Sequence, residues 1–314
     1  MTRYVFGRLA ALVPLLLGVS FIAFTLIKLA PGDPIEAMLG LEADQHSIDV
    51  LRQKYGLDQP FIVQYGLWLV QLLHGNLGRS IQTGGEVTHA IGEALLPSAQ
   101  LAVAALLVSL LIAIPAGIMS ATRPNSRTDL AVTFAALCGL SLPSFWLGII
   151  LIFLFSVAIP VLPSSGRVAF MQDPFAAFSH LILPAITLGT ALAAATMRMT
   201  RAAMLEVLSQ DYVRTARAKG LSGRSVIYKH ALRNALLPIV TVIGVQMGHV
   251  LGGVVVTETV FAWPGIGKLT VDAIFARDYP LVLGCVLTTA FIFVLINLLT
   301  DLAYTALDPR VSYR

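Results

Sequence analysis

The sequence predicts an all-α integral membrane protein with six transmembrane helices and cytoplasmic N- and C-termini, on three observations. Charged residues are 12% of the 314 and hydrophobic ones 57%, with a mean hydropathy of +0.82; a soluble domain carries about 25% charged residues. Long stretches hold no charge at all. The lysines and arginines gather in alternate loops, as they do on the cytoplasmic side of membrane proteins. The net charge of +4 therefore follows from topology and is no nucleic-acid footprint.

The first element follows a short basic start with Arg3 and Arg8. Leu9–Ile27 is 19 residues without a charge, longer than the roughly 7–15 apolar residues of a signal peptide and close to the roughly 20 that span a bilayer. It is read as a retained first span. Lys28–Glu93 is the longest polar segment, with four basic and eight acidic residues. Ala30–Pro34 (APGDP) forms its rigid exit from the helix. Ile48–Tyr55 has helical spacing. Phe61–Leu73 is a second, apolar helix of 13 residues, too short to span and suited to an interfacial or extracytoplasmic cap. Ala94–Thr122 is the second span, expected to start after Pro97. The third runs from Leu130 to about Ile159, with a kink at Pro143 between Ser141 and Ser144. The fourth starts near Leu181 and ends at Met197, the fifth is Ala235–Thr257 and the sixth Tyr279–Thr300.

Lysine and arginine counts set the orientation. The N-terminus has two, the Lys28–Glu93 loop four in 66 residues, the Arg123–Arg127 turn two, and the Arg167 loop one. The segment Arg198–Arg233 has eight, the Glu258–Asp278 loop two and the C-terminus two. Dense loops alternate with sparse ones, which puts the termini, the Arg123 turn and the Arg198–Arg233 segment in the cytoplasm. Cys138 and Cys285 both fall in apolar segments without metal-ligand neighbours and read as small buried hydrophobes. There is no Walker lysine loop, no HExxH helix, no pair of intramembrane aspartates and no Ser/His pairing. No span carries the row of ionisable groups that ion-coupled transporters use. The sequence shows no internal repeat and no low-complexity segment.

The most informative stretch is Asp211–Pro238, DYVRTARAKGLSGRSVIYKHALRNALLP. It sets Arg214, Arg217, Lys219, Arg224, Lys229 and Arg233 against one acid, Asp211. Ser209 can cap a short helix with Asp211 in its first turn, where the helix dipole favours an acid. Gly220 stands where a left-handed residue would end that helix. Ser222 can cap a second helix running toward Arg233, with Pro238 at the mouth of the next span. Ala216, Ala218 and Gly220 are small enough for a partner backbone to approach. A basic loop can be a topological anchor only; its caps and small residues point instead to a docking surface for a soluble protein.

On the fifth span Gly244, Gly248 and Gly252 recur every four residues and form a bare stripe. Such stripes let helix backbones meet closely in lipid, either within this chain or against a second subunit. Gln246 and His249 on the same helix are costly against lipid and are expected to face a cavity or a partner. Glu258–Gly267 (ETVFAWPGIG) follows. Phe261 and Trp263 read as interfacial aromatics, and Pro264-Gly265 as a turn that serves either a gating hairpin or a plain anchor. Asp272, Arg277 and Asp278 read as solvated rim charges.

The basic stretch resembles the cytoplasmic "EAA" signature of ABC importer permeases, which docks into a cleft on the ATPase. TARAKGLS followed by HALRNALLP narrows the resemblance to the dipeptide/oligopeptide/nickel branch. Ala216, Gly220, Leu237 and Pro238 match the signature. Arg214 and Thr215 replace its Glu and Ala, and the Gly220–Pro238 gap is longer, departures that this branch shares. RYVFGRLAALVP, LAPGDP, GLDQPFIVQYGLWL, LHGNLGRS, VVVTETVFAWPGIGKL, RDYPLV and ALDPRVSYR extend the resemblance over nearly the whole chain.

The resemblance implies a type I ABC importer permease fold. Residues 1–93 would be an N-terminal helix with a large extracytoplasmic loop, 94–304 the permease domain with a coupling loop at about 205–238, and 305–314 a cytoplasmic tail. It implies a second homologous permease subunit, two ATPase subunits and an extracytoplasmic substrate-binding protein as partners, beside the lipid bilayer. Asp211, Thr215, Ala216, Lys219, Gly220, Leu237 and Pro238 would form the ATPase-coupling loop. ATP and Mg would sit on the ATPases, with no cofactor on this chain. Import would proceed by alternating access in the bacterial inner membrane. Peptides are the expected cargo; nickel chelates, glutathione or another small solute share the architecture. A secondary transporter is the reading of a different class.

Overall fold

The computed structural model describes residues 2–29, 46, 50, 52–53 and 58–307, with side chains at all of these except 2–11, 27–28, 140, 249, 251–253 and 301–307. The APGDP exit, most of the Ile48–Tyr55 pattern and the tail from residue 308 lie outside the described residues. Regular structure among the described residues is helical, apart from an isolated bridge between Arg79 and Glu86. Four helices are long and apolar enough to cross a membrane, or five if one bent pair counts as a single span.

The chain divides into two compact units, Met1–Pro97 with Gly265–Val294, and Ser98–Pro264 with Leu295–Arg314. The first contains α1 (Thr2–Leu29) and α2 (Phe61–Leu73). These pack through aromatic edges: Phe24 meets Phe61 at 5.5 Å and Trp68 at 5.7 Å between ring centroids. The Tyr65 hydroxyl lies 2.9 Å from that of Ser20, so the polar end of the ring is satisfied inside an apolar contact. The start of α3 (Val87–Thr122), α10 (Ile266–Phe275) and the start of α11 (Tyr279–Leu307) form a core around Val87, Ile91, Ile266, Ala273, Val282 and Cys285. Asp278 is buried there, not a rim charge. Its carboxylate accepts from Ser80 Oγ, from the Ile81 N–H at 3.2 Å and from the Leu281 N–H at 3.4 Å. It thus caps α11 and ties the loop before α3 to it.

The second unit holds the remainder of α3, then α4 (Arg127–Ser141) and α5 (Ser144–Ile152), the latter running on as a π-helical Phe153–Ala158. Pro143 does more than kink the expected third span. It separates α4 from α5 at an angle of 99°, because proline lacks the N–H that would carry the helix across. Next comes α6 (Pro174–Leu208), which starts seven residues before the expected Leu181. Asp173 caps it, accepting from the N–H groups of Phe175 and Ala176 at 3.0 Å, with Pro174 in the first turn. Likewise α3 starts at Val87 and carries Pro97 within it.

Then follow α7 (Asp211–Ala218) and α8 (Gly223–Ser225); the latter passes through a π-helical Val226–Ala231 into α9 (Leu232–Val260). The second helix of the basic stretch therefore has no stop near Arg233. It is continuous with the fifth span, and Pro238 lies inside it. The main core of this unit surrounds Trp263 with Leu101, Ala105, Leu181, Leu188 and Val250. Phe261 and Trp263 are 2% and 1% exposed, so they are core residues, not interfacial anchors. Close backbone approach builds this core. A Cβ on Gly189 of α6 would lie 2.7 Å from the Ala105 carbonyl oxygen of α3.

Candidate functional site

The basic stretch forms a compact projection whose core is small. Val213 and Ala216 on one face of α7 pack against Val226 and Leu208. The opposite face carries Arg214 and Arg217 in the open, and Lys219, Arg224, Lys229 and Arg233 are exposed as well. Asp211 faces Arg214 at 3.7 Å with both side chains almost fully solvated, so the pair adds little stability. Thr215 Oγ donates to the Asp211 carbonyl at 3.0 Å. Asn234 Nδ2 donates to the Tyr212 hydroxyl at 2.7 Å, which fastens α7 to the start of α9.

The termination of α7 is explicit. Gly220 has φ +78°, its N–H donates to the Arg217 carbonyl at 2.9 Å, and the Leu221 N–H reaches the Ala216 carbonyl at 3.3 Å. These are the two hydrogen bonds of a Schellman ending, which needs a left-handed residue. Ser222 caps α8 by accepting from the Ser225 N–H at 3.3 Å. Ser209 does not cap α7. It closes α6, donating to the Glu206 carbonyl at 2.7 Å, and Gln210 takes the N-cap position without a side-chain bond. Ala216 points inward, so of the three small residues only Ala218 and Gly220 are exposed. Leu237 and Pro238 are half-buried in the helix, and Thr241 Oγ donates to the Leu237 carbonyl at 3.1 Å.

Of the glycine stripe, Gly244 is placed against this chain's own last helix: a Cβ there would fall 1.8 Å from Thr300 Cγ2. Gly248 is half-buried, while the side-chain positions of Gly252 and His249 lie outside the described residues. Gln246 Oε1 accepts from Thr196 Oγ at 3.1 Å, and its Nε2 is buried without a partner among the described residues. Thr196 Oγ also reaches the Leu192 carbonyl at 3.1 Å, so turning the amide over would let Nε2 donate to Thr196 in its place. Trp263 is buried in the core. Its N–H donates to the Glu258 carbonyl at 2.8 Å.

A family-level comparison decides what this arrangement belongs to. Residues 113–313 match the family described as the binding-protein-dependent transport system inner membrane component, and residues 1–96 match that system's membrane-component N-terminal family. The chain belongs to this family. A dipeptide transport system permease protein of Alkalihalophilus pseudofirmus is 41% identical over 334 residues, with all of both chains covered. An oligopeptide transport system permease protein of Bacillus subtilis is 42% identical over 317 residues, again with full coverage of both. In fold, an inward-facing MetNI methionine ABC transporter chain superposes with a TM-score of 0.56 at 18% identity, covering 70% of this chain and 96% of that one.

This binding-protein-dependent transport component is accordingly a non-catalytic inner-membrane permease with several spans. Membership implies an ATPase, which hydrolyses the ATP, and a substrate-binding protein as partners.

Three acidic groups are buried that the sequence does not mark as such. One is Asp278. A second is Glu258, fully buried and accepting from Ser98 Oγ at 2.5 Å. The third joins three helices. Asp129, 4% exposed, is held by a two-pronged Arg201: Nε to Oδ1 and Nη2 to Oδ2, each at 2.8 Å. Ser120 Oγ donates to the same carboxylate, and the Asn125 N–H reaches Oδ2 at 2.9 Å. Only the carboxylate is buried, Arg201 being 31% exposed, and a buried carboxylate left without its partner is strongly unfavourable. A signal was present: Ser126 followed three residues later by Asp129 has the spacing of a capping box, and Ser126 Oγ does accept from the Asp129 N–H at 3.2 Å.

Proposed function

We propose that this chain forms half of the translocation pathway of an ATP-driven peptide importer, and that its basic projection is the coupling element that docks on the ATPase. The observation that carries the coupling role is the Gly220 ending of α7. It fixes a short helix with one face anchored and Arg214 and Arg217 on the other, beside a continuous α8–α9 helix that carries three further exposed cations, Arg224, Lys229 and Arg233, and runs into a span. Peptide cargo is supported by the dipeptide and oligopeptide systems in which the relatives are named. Six spans with cytoplasmic termini, a second permease subunit and two ATPases complete the assembly. ATP and Mg are held by the ATPases and none by this chain. Gly248, Gly252 and His249 are assigned to the helix face nearest the pathway or the second permease, with Gln246 beside it against Thr196 of α6.

Reconstitution of the complex in vesicles tests both parts. Uptake of a labelled di- or oligopeptide, delivered by the binding protein, is the expected activity; uptake of a nickel chelate or glutathione instead would reassign the cargo. Gly220→Val is expected to leave the chain inserted while weakening ATPase co-purification or separating ATP hydrolysis from uptake. Full uptake with full ATPase association would reduce the loop to a topological anchor.

A further inference from the structure

We infer that Asp129 and Arg201 are positioning residues for energy coupling: their pair locks the α3–α4 turn to α6 and makes this end of the bundle one lever that carries α7. The inference rests on the coupling role proposed for α7. Arg201 lies on α6 seven residues before its last residue, Leu208, about 10 Å along the axis at 1.5 Å per residue. Only Ser209 and Gln210 separate α6 from α7. A force applied at α7 therefore enters the bundle through this end of α6, as well as through α8 and the start of α9.

Three features make the joint stiff. The guanidinium grips Asp129 with two parallel hydrogen bonds, its single Nε–H being shared between Asp129 Oδ1 and Ser120 Oγ at 2.9 Å, a geometry that fixes orientation as well as distance. Beside it the backbones of α3 and α6 nearly touch: a Cβ on Gly117 would be 2.6 Å from Thr200 Cβ and 3.0 Å from the Met197 carbonyl oxygen. Further along the same face of α6, Ile118 and Ala121 of α3 pack with Met204, and these in turn with Ala231 and Ala235 of the π-helical segment and α9. The contact continues through Leu208 to Val213 and Ala216 of α7. Apolar packing alone permits sliding of helices; a forked ion pair across the α3–α4 turn does not, because any slip strands a buried carboxylate.

Asp129→Asn keeps the shape of the side chain and removes its charge, and Arg201→Lys keeps the charge and removes the fork. Each variant is purified in the full complex with its ATPases and binding protein, and ATP hydrolysed per peptide imported is measured in vesicles, beside the thermal midpoint and the peptide concentration for half-maximal uptake. The expected result is a rise of about tenfold in ATP consumed per peptide, with ATPase association and half-maximal concentration unchanged, and recovery in Asp129→Glu. A lowered thermal midpoint with an unchanged ratio would make the pair a plain structural brace and overturn the inference. If Asp129→Asn does not accumulate, the ratio in Arg201→Lys decides in the same way. Gly220→Val separates the two readings. Uncoupling in Gly220→Val but not at Asp129 or Arg201 removes only this inference, while a silent Gly220→Val removes the coupling role and this inference with it.

Discussion

At Gly220 two effects that a mutation would usually mix are separable. Its φ of +78° penalises any side chain, by about 1 kcal/mol or more. Yet an added Cβ meets no atom within 4 Å. Gly220→Ala is therefore expected to lower the thermal midpoint of the purified permease only slightly, and any larger loss in ATPase co-purification reports contact with the partner. Gly244 presents the opposite case. Its Cβ would overlap Thr300 Cγ2, and overpacking of this kind costs about 1–3 kcal/mol. Gly244→Ala should lower the midpoint, and Thr300→Ser, which deletes the offending methyl, should restore much of it in the double variant. Additive losses would show that the two helices move apart instead. Gly189 has no such remedy, because the atom in its way is a backbone oxygen.

Among the elements, those announced by local chemistry were legible. Phe61–Leu73 stands where its apolar run placed it, and Gly220 and Ser222 take the conformations that their residue types imply. Elements marked off by loss of charge were set too short. A charge-free count starts the fourth span at Leu181, whereas Asp173-Pro174, a cap followed by a first-turn proline, starts the helix itself. Asp173→Ala should cost about 0.5–2 kcal/mol and speed amide exchange at Phe175–Ala177; unchanged exchange there would mean that packing alone holds the first turn. Long-range pairing was not legible. Nothing local tells Asp278 that Ser80 will reach it, or Asp129 that Arg201, 72 positions away, will grip it. Charged residues at span ends read as solvated by default, and only tertiary structure shows which are paired. The merging of the second loop helix with the fifth span was missed for a related reason: Pro238 and Arg233 look like punctuation, yet the π-helical Val226–Ala231 carries the helix through.

At the scale of the whole molecule, four helices, or five with the bent pair counted as one span, qualify by length and composition, and we propose α1 as the sixth. Its described apolar part, Leu12–Leu26, is short, but the charge-free run Leu9–Ile27 is 19 residues, close to the roughly 20 that cross the hydrocarbon core. With six spans the count is even and both termini share a side. The eight basic residues from Arg198 to Arg233, against two from Glu258 to Asp278, then predict that this side is cytoplasmic. The prediction is tested in intact cells after replacing Cys138 and Cys285, with single cysteines at Glu42 and Ser222 and a thiol reagent that does not cross the membrane. Labelling at position 42 and protection at 222, reversed for 222 once the membrane is permeabilised, is the expected outcome. Ser222 is exposed and follows the Gly220 turn directly, so protection there in intact cells reports the membrane and not burial. Labelling at 222 with protection at 42 would invert the molecule, and with it would fall the docking of the basic projection on an ATPase.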